Sequence, residues 1–313
     1  MRDLRDSLVG TVMEGTDGTP YRIEQCIGTG GQGWVFRARR AEEDTVIVKV
    51  LRPDGVDDHA LHRFRREADV LRALWEQPNP SPHLVRFYDH RITTLRPPGT
   101  RQTIAFAFTV LEYVSGATLG QILEESEGAG LPFARVRRIL LHVARGLSAV
   151  HALEIIHRDL KPSNVLLANE SGAELAKVTD FGLVRVANPT AATTGFLGVT
   201  HGYAPPELYE KGAPRASVRS DVFSFAAIAW EMIAGQPLFP FGSSDTPTRH
   251  VLRMMSGRIP ALAGVERPSP ELAARPDLLR RLDEQLSRAL APEPADRFAS
   301  VDDLVLALDL LPT

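Results

Sequence analysis

Three stretches of this 313-residue chain combine residue types that could handle phosphates and protons. The first, Gly28-Thr29-Gly30-Gly31-Gln32-Gly33-Trp34-Val35, fits the pattern G-x-G-x-x-G-x-V. Lacking Cβ atoms, such a backbone can approach phosphate oxygens closely and take dihedrals that other residues avoid. A dinucleotide-binding turn would run on into a helix, whereas here Trp34-Val35-Phe36-Arg37-Ala38 continues as a strand. The loop therefore reads as a hairpin lid over phosphates, with Val35 covering a base; a glycine-rich turn without function fits the same letters. The second stretch holds Lys49 inside the apolar run Val46–Val50. Only four of the 36 basic residues are lysines (Lys49, Lys161, Lys177 and Lys211), so a lysine here suggests a need for a compact ammonium. Glu67 shares a helical face with Phe64, Leu71 and Leu74, and a carboxylate on an apolar stripe is costly unless paired. Pairing with Lys49 would satisfy it and fix the ammonium toward the phosphates; a solvent-reaching lysine and an unrelated glutamate are the other reading. The third stretch is His157-Arg158-Asp159-Leu160-Lys161-Pro162-Ser163-Asn164, followed by Thr179-Asp180-Phe181-Gly182.

Alternation and β-branched residues predict strands over Tyr21–Ile27, Trp34–Ala38 and Thr45–Val50, with Ile47, Lys49 and Leu51 on one face. Steps of three and four from Leu61 to Trp75 predict a helix over 60–76. Two more strands are expected near 84–92 and 103–111, joined by a loop at 93–101 with Pro97-Pro98-Gly99. Helices are then expected at Gln121–Glu125 and Pro132–Ala152, a strand hairpin at 165–168 and 175–179, and three or four helices over 220–311. The fold class is α+β, with residues 1–20 as a lead-in, a small β-rich lobe at 21–111, a linker at 112–117 and a larger, mainly helical lobe at 118–313. Ligands favour such boundaries.

Taken in order, Gly28–Val35, Lys49, Glu67, His157-Arg158-Asp159 with Asn164, Asp180-Phe181-Gly182 and Ala204-Pro205-Pro206-Glu207 resemble the protein kinases, and closely the Ser/Thr kinases of bacteria. Asp221 and Arg297 match two later marks of that family, and the resemblance covers roughly residues 20–311. It implies a bilobal kinase fold and ATP-dependent phosphorylation of protein Ser and Thr hydroxyls. Asp159 would accept the substrate proton, Lys161 would meet the γ-phosphate, and Asn164 and Asp180 would hold Mg2+, with Mn2+ as the alternative. Ile27, Gly28, Gly30, Gly31, Gly33, Val35, Ile47, Lys49, Leu111, Glu112, Val114 and Leu166 would form the nucleotide pocket, with Glu112-Tyr113-Val114 as its hinge. His157, Phe181 and Leu71 would pack as a column. Arg158 implies an activation segment ordered by phosphorylation, at Thr193 or Thr194 before Thr190, while Thr200 would bond the base and lysine. Glu207 and Arg297 would form a buried ion pair. Family habit adds a possible homodimer during autophosphorylation.

Four residues depart from the family pattern: Ile47 stands for Ala, Val199 for Gly, Phe223 for Trp and Ala226 for Gly. None removes a charged or metal-binding group, although Ile47 could narrow the adenine pocket. A nucleotide-binding pseudokinase is the competing reading, supported by Ile47 alone; a small-molecule kinase would not be expected to keep Ala204–Glu207 with Arg297. A formal net charge of −3 gives no blanket basic surface, so nucleic acid is not an expected partner. The one cysteine, Cys26, excludes a disulfide framework and fits a reducing compartment. The most apolar run, Val222–Ala234, is interrupted by Ser224 and Glu231 and reads as a buried core helix, not a membrane segment. The opening Met1-Arg2-Asp3-Leu4-Arg5-Asp6 lacks an apolar stretch and reads as no signal peptide, which makes a cytoplasmic protein the expectation.

Overall fold

A computed structural model describes residues 4–29, 33–41, 44–53, 58–99, 102–170, 172–180, 202–209, 216–240 and 245–310. The chain divides into two compact units, Met1–Pro80 with Val85–Val114, and Ser81–Leu84 with Ser115–Thr313.

The first unit begins with a single helical turn, α1 (Leu4–Ser7), and contains strands β1 (Val12–Glu14), β2 (Pro20–Thr29), β3 (Gly33–Arg39) and β4 (Thr45–Leu51), helix α2 (Asp58–Trp75), and strands β5 (Phe87–Leu95) and β6 (Ile104–Glu112). The strands form one antiparallel sheet in the order β1-β2-β3-β4-β6-β5. Period-two alternation sorts its faces. Val46, Val48 and Val50 are buried with Phe36, Phe106 and Phe108, while Leu51 joins Phe64 of α2 and Ala107 of β6 on the other face. The sequence reading leaves residues 1–20 as a lead-in. The structure instead buries Leu8 and Met13 of that stretch fully in the β-core and pairs β1 with β2. The loop expected at 93–101 is also shorter: Thr93, Thr94 and Leu95 pair with Phe106, Ala105 and Ile104 and carry β5 onward.

The second unit opens with a small sheet of β7 (Gly116–Thr118), β8 (Val165–Glu170) and β9 (Ala173–Val178), in sequence order. Around it lie α3 (Leu119–Glu125), α4 (Phe133–His151), α5 (Val218–Ala234), α6 (Pro247–Met255), α7 (Pro270–Ala273), α8 (Pro276–Ala289) and α9 (Val301–Ala307). Thr118 Oγ1 accepts from Gln121 N while Gln121 Oε1 accepts from Thr118 N, a reciprocal cap that fixes the start of α3. In α4, Val136, Ile139, Leu140, Val143, Leu147 and Val150 form the buried stripe that their spacing predicts. Every residue of α5 from Ser220 to Ala234 is buried, so the helix reading of the apolar run stands. Gly235, with φ of 75°, ends it in the left-handed conformation. Among the described residues no helix is long and apolar enough to cross a membrane.

Candidate functional site

In the first unit, strand register brings several candidate residues together. Val35 lies directly opposite Lys49, and Ile47 directly opposite Leu111. Since Ile47 and Lys49 are two residues apart on one strand, all four share one face, and opposed Cβ atoms sit about 5 Å apart. Gly28 continues the Val35–Lys49 row on β2. At Gly33 a Cβ would collide with the carbonyl oxygen of Val50, so the close approach of β3 to β4 itself demands glycine there. At Gly28 a Cβ would make only ordinary contact with Val35, 3.6 Å away, so the sheet leaves that position unconstrained. Ile27 is exposed, whereas Leu111 is buried. Glu112 is fixed to one stretch of backbone, its N–H donating to Arg86 O (2.8 Å) and its carboxylate accepting from Arg86 N (2.9 Å). Val114, half-buried, closes this unit.

Lys49 and Glu67, both half-buried, stand next to a shared anchor. Leu51, two residues after Lys49, packs with Phe64, one helical turn before Glu67. Helix α2 therefore lies over the face of the sheet that carries Lys49. Thr109, opposite Lys49 on β6, continues the row to His90, whose Nδ1 is 3.0 Å from Thr109 Oγ1. Burial holds the His90 imidazole down to about 4, so this end of the row is neutral.

In the second unit, the segment after α4 gathers three candidates around one carboxylate. Lys161 Nζ lies 3.0 Å from Asp159 Oδ2. Asn164 Nδ2 donates to the Asp159 carbonyl at 2.8 Å and, more weakly, to Asp159 Oδ2 at 3.4 Å. Pro162–Asn164 forms a short 3-10 turn, whose proline is pre-set for its first position, and Asn164 is buried. Val165 follows at once as the first residue of β8, and Leu166 sits half-buried one place further on. Thr179 N donates to Asn164 O at 3.0 Å, which ties the end of β9, and Asp180 just beyond it, to the Asp159–Asn164 turn. Thr179 Oγ1 also reaches Asp180 Oδ1 at 3.4 Å.

The backbone around this turn is held from below. Asp221, in the first turn of α5 and fully buried, accepts from His157 N (2.8 Å) and Arg158 N (2.9 Å), and its Oδ2 lies 2.7 Å from His151 Nε2. Those bonds fix Arg158 at φ of 68°, and Asp180 stands at φ of 59°, both left-handed positions that cost a side-chain-bearing residue roughly 1–2 kcal/mol. His157 is completely buried, and desolvation holds its pKa below the usual range, so it is neutral. Asp159 N donates to its Nδ1 (3.4 Å), which leaves the proton on Nε2 to donate to Thr179 O (3.1 Å). The imidazole is thus a strut between the two acid-bearing turns.

Glu207 and Arg297 meet inside the second unit. Arg297 Nη1 and Nη2 donate to Glu207 Oε1 and Oε2 at 2.8 and 2.9 Å. The remaining guanidinium donors reach the carbonyls of Ala291, Pro292 and Arg219, and Ser220 Oγ adds a bond to Glu207 Oε1. Phe223 lies under the guanidinium at 4.9 Å, so this position supplies a cation–π face. Sequence spacing missed three of these supports: His151 on Asp221, Ser220 on Glu207, and Tyr203, whose hydroxyl donates to Glu231 at 2.6 Å. Only Glu231 left a signal, as a carboxylate inside an apolar run. Gly30, Gly31, Phe181, Thr190, Thr193, Thr194 and Thr200 lie outside the described residues.

The donor set suits a hard divalent cation. Asn164 spends its amide N–H on Asp159, leaving Oδ1 as an acceptor that no hydrogen bond among the described residues uses. The Asp180 carboxylate stands one residue past the Thr179–Asn164 bond. With these two residues as protein ligands, waters and phosphate oxygens would complete the shell, as Mg2+ prefers.

The family model for the protein kinase domain matches residues 21–304. Over 294 residues the chain is 31% identical to the serine/threonine-protein kinase PknA of Corynebacterium glutamicum, covering 93% of this chain and 56% of that protein. Over 295 residues it is 32% identical to the serine/threonine-protein kinase pkn3 of Myxococcus xanthus, covering 90% and 48%. The chain thus spans about half the length of the curated relatives it matches. A crystal structure of the Mycobacterium tuberculosis PknI kinase domain superposes with a TM-score of 0.66 at 27% identity, covering 96% of this chain and 97% of that one. With the Asp159–Lys161–Asn164 turn, the Asp180 turn and the Glu207–Arg297 pair in place, the chain belongs to the protein kinase domain family, and its relatives are the serine/threonine kinases of bacteria.

Proposed function

We propose that the protein transfers the γ-phosphoryl group of ATP to serine and threonine hydroxyls of other proteins. The observation that carries this reading is the turn in which Asp159 stands 3.0 Å from the Lys161 ammonium and within reach of the Asn164 amide. Phosphoryl transfer needs little covalent chemistry from the protein and much positioning and charge neutralisation. Asp159 orients the acceptor hydroxyl and takes its proton as the new O–P bond forms. Lys161 holds Asp159 in the resting state and neutralises charge that builds on the transferring group. Lys49, oriented by Glu67, neutralises the nucleotide phosphates, and Ile27, Val35, Ile47, Leu111 and Leu166 enclose the adenine, with backbone groups of Glu112 and Val114 bonding it. Asn164 and Asp180 would hold Mg2+ or Mn2+, which when bound supplies Lewis-acid neutralisation of phosphate oxygens.

Arg158 supports activation through phosphorylation of Thr193 or Thr194, with Thr190 as the lesser site and a homodimer as the vehicle, while Thr200 bonds Asp159 and Lys161. Protein substrates and ATP are the partners, with no role for nucleic acid. The single cysteine supports a cytoplasmic setting.

Purified protein incubated with radiolabelled ATP and Mg2+ tests the reading, with transfer to a Ser/Thr protein acceptor and mass mapping of its own phosphosites. Wild type is expected to label the acceptor and to carry phosphate on Thr193 or Thr194. Asp159→Asn, which keeps the shape of the turn, is expected to lower the rate by about 10²–10⁴-fold. Incorporation unchanged by that substitution would refute the assignment, and unmodified threonines in active enzyme would refute the regulatory part.

A further inference from the structure

The first unit contains a polar cavity of about 320 Å³ lined by Thr16, Asp17, Thr19, Tyr21, Arg40, Tyr88 and Asp89. None of these residues belongs to the proposed phosphoryl-transfer machinery. The wall is built, not incidental. Asp89, buried within β5, accepts from Thr16 N (2.8 Å) and Thr16 Oγ1 (2.7 Å), and Arg91 donates to the carbonyl of Gly15. A Cβ at Gly15 would strike both Asp89 and Tyr21, so the turn between β1 and β2 is seated directly on these two side chains.

Charge decides what the cavity takes. The Arg40 guanidinium is occupied: Asp44 accepts from its Nε at 2.6 Å and from Nη2 at 2.5 Å, and the Tyr88 ring covers its face at 4.3 Å. Asp89 is bonded only to neutral donors, Thr16 and the His90 N–H. Asp17 accepts from Thr19, whose N–H lies 3.0 Å away, so its hydrogen-bond donors too are neutral. The field inside is therefore negative. Tyr21 adds an independent mark: the residue is 3% exposed, yet its hydroxyl makes no hydrogen bond among the described residues. Burial lifts its pKa to about 12, so the hydroxyl stays protonated, with a donor and lone pairs both unspent. Tyr21 lines the cavity, so a donor or acceptor brought by a ligand has an unspent hydroxyl to meet.

We infer that this cavity binds a guanidinium group, a planar cation able to donate to Asp17, Asp89 and the Tyr21 oxygen together. The volume fits one amino-acid-sized ligand, carried either by a small free molecule or by an arginine side chain of a peptide.

Isothermal titration with argininamide, and in a parallel arm with an acetylated, amidated Gly-Arg-Gly peptide, tests the inference on the whole chain. Tyr21→Phe keeps the ring and its edge contact with Phe108, and Asp17→Asn changes an exposed turn residue, so both are expected to leave the melting temperature unchanged. Argininamide is expected to bind the wild type, with affinity falling by about fivefold or more in each variant. Equal affinity of the peptide supports a side-chain source, and loss of binding in the peptide arm supports a free one. The proposal is overturned by absence of argininamide binding at ~10 mM, a concentration that should populate a millimolar site, or by binding that both substitutions leave unchanged.

Discussion

Glu231 stands inside the apolar run of α5, buried, and accepts a hydrogen bond from the Tyr203 hydroxyl. Burial lifts its carboxyl to about 7 from an ordinary 4.5, against the opposing pull of the Tyr203 hydroxyl that donates to it. Because the folded pKa is the higher one, the folded chain holds this proton more tightly than the unfolded chain does. The resulting stability is fully present below 4.5 and is lost as pH rises through 7. The amount is on the order of 3 kcal/mol. Urea unfolding at a series of pH values is expected to show stability falling across that window in the wild type. In Glu231→Gln, which keeps an acceptor for Tyr203 but cannot ionise, that part of the slope should vanish. A slope identical in the two proteins would show that Glu231 titrates normally. Tyr203 stands one residue before the Ala204–Glu207 segment, and its carbonyl accepts from Ser224 Oγ, so charging Glu231 loads a stretch that the kinase reading assigns to substrate docking.

Among the elements, α5 organises the second unit by carrying Asp221 beneath the His157–Arg158 backbone and Ser220 against Glu207. Arg297 completes this base, with all its guanidinium N–H groups directed at acceptors. Arg297→Met would strand the Glu207 carboxylate in the interior and is expected to cost about 3–5 kcal/mol by denaturant titration. A loss below ~1 kcal/mol would mean that water reaches the pair. The elements themselves were readable where a period ran long enough: α4 by its three-and-four stripe, β4 by its alternation. Others had no such signal. Leu8 and Met13 anchor α1 and β1, yet two apolar residues five apart define no period. Ser81–Leu84 joins the second unit through backbone pairing, Val178 N donating to His83 O at 2.8 Å and Leu84 bridging Val178, and through the His83 ring stacked on His142, contacts between distant positions that composition does not report. The extension of β5 through Thr93–Leu95 was hidden because its residues alternate without strong apolar character.

Across the whole chain the chemistry-bearing motifs divide between the units, with Gly28, Gly33, Lys49, Glu67 and Glu112 in the first and Asp159, Lys161, Asn164, Asp180 and Glu207 in the second. The motif residues were legible because phosphoryl transfer restricts residue type at each position, whichever elements surround it. Their supports were not: His151, Tyr203 and Ser220 meet their partners across 70, 28 and 13 positions of sequence, and nothing in local spacing announces such bonds. The central proposal is that Lys49 and Lys161 each act on ATP phosphates. The four lysines of this chain make that claim directly measurable. An ATP analogue with an acyl group on its terminal phosphate transfers that acyl group to any amine held beside the phosphates, releasing the nucleotide. Peptide mapping after labelling with Mg2+ present is expected to find the acyl group on Lys49 and Lys161, blocked by excess ATP, with Lys177 and Lys211 unlabelled. Labelling of Lys177 or Lys211 in preference, or labelling that ATP does not suppress, would contradict the account.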